Sequence, residues 1–136
     1  MKFYLASSFE LADQVQKFAD VLKDEGHEIT IEWWHHNYKL ISIPDNAWYQ
    51  DQEVRKVSKR NLKGIRDCDA FILFGLDKPK TLCGANIELG YALGIGKPCF
   101  AIGRLSRSAM YVPVKRYDNA FEFLHKEKLL KKRRKS

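Results

Sequence analysis

Cysteine is scarce: Cys68, Cys83 and Cys99 are the only three, and no two of them are spaced as CxxC. An odd set without ligand spacing excludes a disulfide framework and argues against a zinc site, so reduced thiols in a cytoplasmic setting are expected. Long apolar runs are also missing; none approaches the ~18 residues that a membrane-spanning helix requires. An excess of one charge is absent from most of the chain as well. The formal charge is +7, but residues 126–136 (KEKLLKKRRKS) hold seven Lys or Arg against one Glu, which leaves 17 basic and 16 acidic residues in 1–125. Residues 1–125 therefore read as a nearly neutral domain and 126–136 as a solvated basic C-terminal tail. Nucleic-acid contact by the tail is the lesser alternative, and its deletion is expected to change turnover little.

What is present is a chain of 136 residues, 45% hydrophobic, with no internal repeat, which is one domain of ordinary size with its own core. Met1 to Ala6 reads as a buried strand, and Leu11, Val15, Phe18 and Leu22 then recur at helical spacing until Gly26 supplies a stop. Residues 27–33 alternate, with Ile29, Ile31 and Trp33 on one face of a second strand. A long aromatic loop over 34–49 separates this strand from a helix over Gln50 to Asp67. Ala70 to Phe74 is continuously apolar, as central parallel strands are. A glycine-rich helix, a strand from Pro98 to Ile102, a short edge strand over Met110 to Val114 and a final helix from Asn119 to about Lys132 complete the chain.

Strands alternating with helices predict an α/β fold, a flavodoxin-like (Rossmann-like) five-stranded parallel sheet in the order 2-1-3-4-5 with helices on both faces. Ligands in such sheets sit beyond the carboxyl ends of the strands, at the switch point between the first and third strands. Ser7, Ser8 and Phe9 face that point from one side and the segment Leu76 to Asn86 from the other.

The run CGANIELGYALGIGKP, Cys83 to Pro98, places one carboxylate, Glu88, in an otherwise apolar helix. Its glycines, Gly84 among them, each lower helix stability by roughly 1 kcal/mol relative to alanine, which points to close approach of the backbone to something. The plainer alternative is a first-turn glutamate stabilised by the helix dipole, with glycines that serve only packing. On the preceding helix Asn61 interrupts the inward stripe of Val54, Val57 and Ile65, and a buried amide needs partners, either at a strand end or on a ligand. Trp33, Trp34, His35, His36 and Tyr38 form an aromatic cluster suited to stacking on a nucleobase or covering the site; its histidines make a poor metal pair.

Four motifs spread over most of the chain, FYLASS, NLKGIRDCDAFILFGLD, GANIELGYALGIGKP and the SAM of Ser108 to Met110, together resemble the nucleoside 2-deoxyribosyltransferase family, including its relatives that hydrolyse nucleoside 5′-monophosphates. The resemblance implies that Glu88 is the nucleophile that attacks the anomeric carbon and forms a covalent glycosyl-enzyme, resolved by water or by a second base. It implies that Asp77 orients or protonates the departing base and that Ser7 and Ser108 hold the 5′ end of the sugar. The loop with Ser108 and Met110 would reach a neighbouring subunit's site, so a homodimer or larger homo-oligomer is expected, with a nucleoside or nucleotide as substrate and no cofactor. Three positions depart from the family, one of them Asn86, which stands where a glycine is frequent and is placed to contact the sugar. Asn61 stands in place of an aspartate, and an amide hydrogen-bonds a base without delivering a proton. Phe9 stands where the monophosphate hydrolases carry an arginine for phosphate, a role left to Arg104 or Arg107.

Two other readings compete. A TIR-like NAD-cleaving enzyme also places a glutamate beside a flavodoxin-like crevice, and a non-catalytic nucleotide-binding or regulatory module would bind without turnover.

Overall fold

The computed structural model describes residues 1–35, 40–75 and 82–131. Five strands, β1 (Lys2–Ala6), β2 (Glu28–Ile29), β3 (Ala70–Phe74), β4 (Cys99–Ile102) and β5 (Lys115–Tyr117), form one sheet in the order β2-β1-β3-β4-β5. Every pairing is parallel, with Phe3 opposite Ala70, Phe71 opposite Cys99 and Phe100 opposite Lys115. The expected order and parallel sense are both present.

Among the described residues four α-helices cover the sheet: α1 (Ala12–Asp24), α2 (Gln52–Asp67), α3 (Cys83–Gly94) and α4 (Ala120–Lys126). Strand residues alternate between two cores, as a pleat requires. Phe3, Leu5, Ile72 and Phe74 pack with Val15, Phe18 and Leu22 of α1 and Phe123 of α4. Tyr4, Ala6, Phe71 and Leu73 point the other way, onto Ile65 of α2 and Ala85, Leu89 and Ala92 of α3. Tyr4, fully buried, is thereby committed to the face that α2 and α3 cover. Among the described residues no helix is long and apolar enough to cross a membrane.

Three elements differ from expectation. The second strand is only Glu28–Ile29, and Trp33 lies in a 3-10 turn over Trp33–His35, because its indole Nε1 donates to the Leu5 carbonyl at 2.7 Å and folds the chain over the end of β1. The edge strand is Lys115–Tyr117, while Ala109–Tyr111 form a 3-10 turn; Pro113 has no N–H for a ladder and holds the strand off until after it. The last helix stops at Lys126 because Lys128 takes φ 57°, letting Lys128 N–H reach the His125 carbonyl and Leu129 N–H the Leu124 carbonyl. That is a Schellman ending, and it turns Leu129 into the α1/α4 core, so packing carries on past residue 125.

One close approach shapes the carboxyl edge of the sheet. A Cβ at Gly75, just after β3, would lie 2.0 Å from the Arg104 carbonyl oxygen, so no larger residue fits there without displacing backbone. The crossing is held by Gly75 N–H donating to the Ile102 carbonyl at 2.7 Å.

Candidate active site

A cavity of about 360 Å³ opens beyond the carboxyl ends of β1 and β3, within the usual size range of small-molecule sites. The end of β1 contributes Tyr4, Ser7, Ser8 and Phe9, and the turn after β2 contributes Trp33. The inner face of α2 adds Val57 and Asn61, and the start of α3 adds Cys83, Gly84, Ala85 and Glu88. Residues far apart in sequence meet here because a parallel sheet brings all its strands out at one edge. Expected residues Glu88, Asn61, Ser7, Ser8, Phe9, Trp33 and Gly84 all line this one cavity. Asp77, His36 and Tyr38 lie outside the described residues.

Glu88 sits in the second turn of α3, past the first-turn position where the helix dipole alone would explain it. The Tyr4 hydroxyl donates to Glu88 Oε2, and no second donor reaches the carboxylate among the described residues. Burial raises the Glu88 carboxyl to about 7, and the Tyr4 hydrogen bond holds it from going higher. Burial first, then the charge of Glu88, push the Tyr4 phenol well above the ordinary tyrosine range, while the Arg60 guanidinium pulls it down. Tyr4 therefore stays a donor at any physiological pH. Glu88 is poised between acid and carboxylate near neutrality.

The aromatic wall is rigid on one side. Trp33 is buried and anchored to the Leu5 carbonyl, with Phe9 edge-on to it at 5.9 Å and Phe9 itself 57% exposed at the mouth. The polar groups are unevenly satisfied. Ser7 Oγ donates to the Ser8 carbonyl at 2.6 Å, whereas Ser8 Oγ and Asn61 Oδ1 are buried without a hydrogen-bond partner among the described residues. Nε and Nη2 of the half-buried Arg60 are in the same state. Such groups are costly to bury and are usually paired.

Asn86, Ser108 and Met110 do not line this cavity. Asn86 is on the outer side of α3, where its Oδ1 accepts from the Tyr111 hydroxyl at 2.8 Å. Ser108 Oγ caps the turn at Ala109–Tyr111 by accepting from Met110 N–H, and Met110 is 73% exposed. Arg104 and Arg107 are exposed and likewise outside the lining. The glycines of α3 do not serve packing on the sheet: a Cβ at Gly84, Gly90 or Gly94 would meet nothing within 4 Å.

Tyr4 and Arg60 belong to the site's electrostatics without any signal in composition or spacing. Tyr4 reads as one more apolar strand residue, and Arg60 as one cation of a basic helix.

The family model for nucleoside 2-deoxyribosyltransferase matches residues 3–121, from the first strand to the start of the last helix. The chain belongs to the nucleoside 2-deoxyribosyltransferase family. Its fold is similar to that of the 2-deoxyribosyltransferase of Bacillus psychrosaccharolyticus, with a TM-score of 0.71 at 22% identity over 98% of this chain and 99% of that one. The Clostridium botulinum CMP N-glycosidase BcmB is similar too, with a TM-score of 0.62 at 17% identity over 94% and 99% of the two chains. None of the curated protein sequences matches this nucleoside 2-deoxyribosyltransferase family member.

Proposed function

We propose that this protein cleaves the N-glycosidic bond of a nucleoside or its 5′-monophosphate through a covalent glycosyl-Glu88 intermediate, with hydrolysis favoured over transfer to a second base. The observation that carries this reading is the half-buried Glu88 carboxylate, held at Oε2 by Tyr4 and lining an aromatic-walled cavity of about 360 Å³. Its Oε1 attacks the anomeric carbon, and the C–N electron pair leaves with the base, which takes up a proton. Water then attacks the glycosyl ester, releasing the sugar and regenerating the carboxylate. Splitting one displacement into two, each through an oxocarbenium-like transition state beside a carboxylate, is how retaining glycosidases work. Asp77 is the group proposed to protonate the base, with Asn61 contacting it.

The test is free-base release from a panel of ribo- and deoxynucleosides, their 5′-monophosphates and NAD, with and without an acceptor base. Release from a nucleoside or its monophosphate that disappears in Glu88→Gln supports the reading. Nucleotide binding without release supports a non-catalytic module instead.

The pH dependence follows from the carboxylate. Glu88 must be ionised to attack, so kcat/KM should climb about tenfold per pH unit below about 7 and level off above it. Tyr4→Phe removes the hydrogen bond that lowers the Glu88 pKa, so the inflection moves to higher pH, by about one unit or more. An unmoved inflection would dissociate Tyr4 from the nucleophile.

We also propose that a second copy of the chain covers the outer face of α3, so that Ser108 and Met110 reach the neighbour's cavity. Gly90 and Gly94 leave that face open, Ile87 is 72% exposed on it, and the Tyr111–Asn86 bond holds the adjacent turn beside it with Met110 73% and Val112 83% exposed. Sedimentation velocity should give a dimer or larger for the wild type and a monomer for Ile87→Arg; a monomeric wild type would remove this part of the proposal.

A further inference from the structure

Among the described residues, the stretch 105–113 between β4 and β5 is joined to another element by one hydrogen bond. The Tyr111 hydroxyl crosses to α3 and donates to Asn86 Oδ1 at 2.8 Å. The other bonds of this stretch close its own turn: Tyr111 N–H donates to the Ser108 carbonyl at 3.2 Å, Val112 N–H to the Ala109 carbonyl at 3.1 Å, and Met110 N–H to Ser108 Oγ at 3.2 Å. Leu105 and the Tyr111 ring pack at the border of the core beneath α2 and α3, while Met110 and Val112, on either side of Tyr111, are exposed. Asn86 lies two residues before Glu88 on the same helix. One helix thus presents Glu88 to the cavity and, on its outer side, anchors the turn that holds Ser108 and Met110.

We infer that Tyr111 and Asn86 form a strut: both are positioning residues for the neighbouring subunit's site, and Asn86 does not itself hold the sugar. The inference rests on the assembly proposed above, in which Ser108 and Met110 reach the neighbour's cavity. A stretch of chain outside the sheet ladder keeps backbone freedom that docking must remove. Tyr111 removes part of it beforehand. Its ring is lodged at the core border and its hydroxyl is fixed to a helix, so Met110, next to it, and Ser108, three residues back, are offered in one arrangement. Ordering of this kind strengthens binding by lowering its entropic cost, without any contact of its own to the ligand. Asn86, for its part, is outside the cavity of its own subunit, and its Oδ1 is occupied by the phenol.

The test uses the full chain and the nucleosides and 5′-monophosphates named above, with KM from base release and Kd from calorimetry. Tyr111→Phe keeps the ring and removes one oxygen. It should raise KM and Kd by roughly 3- to 10-fold, the worth of one hydrogen bond, with kcat within about twofold because Glu88 and Tyr4 are untouched. Asn86→Leu should do the same, and the double variant no more than either single one, since both remove one interaction. Asn86→Asp, which still accepts from the phenol, should recover most of the loss. Where Asn86→Leu changes the sedimentation of the chain, Tyr111→Phe set against Asn86→Asp carries the comparison. Additive losses, or a loss in Asn86→Leu that Tyr111→Phe does not share, would mean that Asn86 touches the sugar and would overturn the strut. Co-expressed mixed oligomers read which site is served. With Glu88→Gln in excess over Tyr111→Phe, each working Glu88 receives a turn with an intact Tyr111, so KM should return to the wild-type value; a KM that stays raised overturns the inference. The readings fail separately. A monomeric wild type with Glu88-dependent release removes the assembly and the strut and leaves the reaction, whereas an oligomer that binds without release removes the reaction, and the strut then stands or falls on the Kd pattern. A wild type that neither releases nor binds any of these compounds overturns both.

Discussion

Glu88→Gln should lower base release by about 10³-fold or more while raising the melting temperature at pH 8. The first effect is loss of the nucleophile, since glutamine cannot form the glycosyl ester. The second follows from the carboxyl's environment. Burial raises its pKa from an ordinary 4.5 to about 7, so the folded chain holds this proton more tightly than the unfolded chain does. Between those two values the folded state binds more protons, and stability falls as pH rises through the window. Above it, keeping Glu88 ionised costs about 3 kcal/mol at most. Glutamine is neutral throughout and still accepts the Tyr4 hydroxyl. The gain in melting temperature should therefore be near zero at pH 4.5 and grow to the order of 10 °C at pH 8 for a chain of this size. Thermal melts of both proteins from pH 4.5 to 8 read this directly, and parallel curves for the two would mean that the carboxylate is not strained by its surroundings.

The second large effect concerns residues that look dispensable in the sequence. A chain ending at His125 should lose about 3–5 kcal/mol of stability, a large part of the 5–15 kcal/mol that holds an ordinary domain together. Leu129, 7% exposed, leaves the α1/α4 core, and a buried leucine is worth about 1.5–3 kcal/mol in transfer alone. The Glu127 carboxylate, which accepts from Tyr117 and from Lys115 Nζ, disappears with it. So do the Leu129 carbonyl bonded to His27 and the Lys131 N–H that donates to Glu25 at 2.6 Å. A chain ending at Lys131 keeps all of these contacts and is the reference. Equal urea midpoints for the two truncations would show that residues 126–131 contribute nothing. The seven cations over 126–136 invite the reading of a solvated tail, because charge hides two leucines that alternate with nothing periodic.

The parts of this protein legible in its sequence are those that burial writes into periodicity. Ala70–Phe74 is apolar at every position because both faces of that strand are covered, and the stripe of Val15, Phe18 and Leu22 marks the face of α1 turned to the sheet. Asn61 stood out because it breaks such a stripe. Periodicity has no means of showing where a hydroxyl points, which is why Tyr4, fully buried among apolar neighbours, gave no sign of its bond to Glu88. It also misreads segments whose course is decided by one tertiary bond. Alternation over 27–33 continues past β2, but the Trp33 indole bond to Leu5 bends the chain away after two rungs of ladder. A left-handed Lys128 is equally silent, since lysine is an ordinary helix residue and only the fold asks it to stop there.

The glycine at position 75 ties together two stretches of chain that face different directions. Its backbone rests on the Arg104 carbonyl, so the end of β3 and the stretch that leads from β4 to Ser108 are fastened at one point. The segment after β4 leads to the exposed turn with Met110. A side chain at position 75 would have to push the Arg104 backbone aside, and with it the start of the stretch that leads to Ser108.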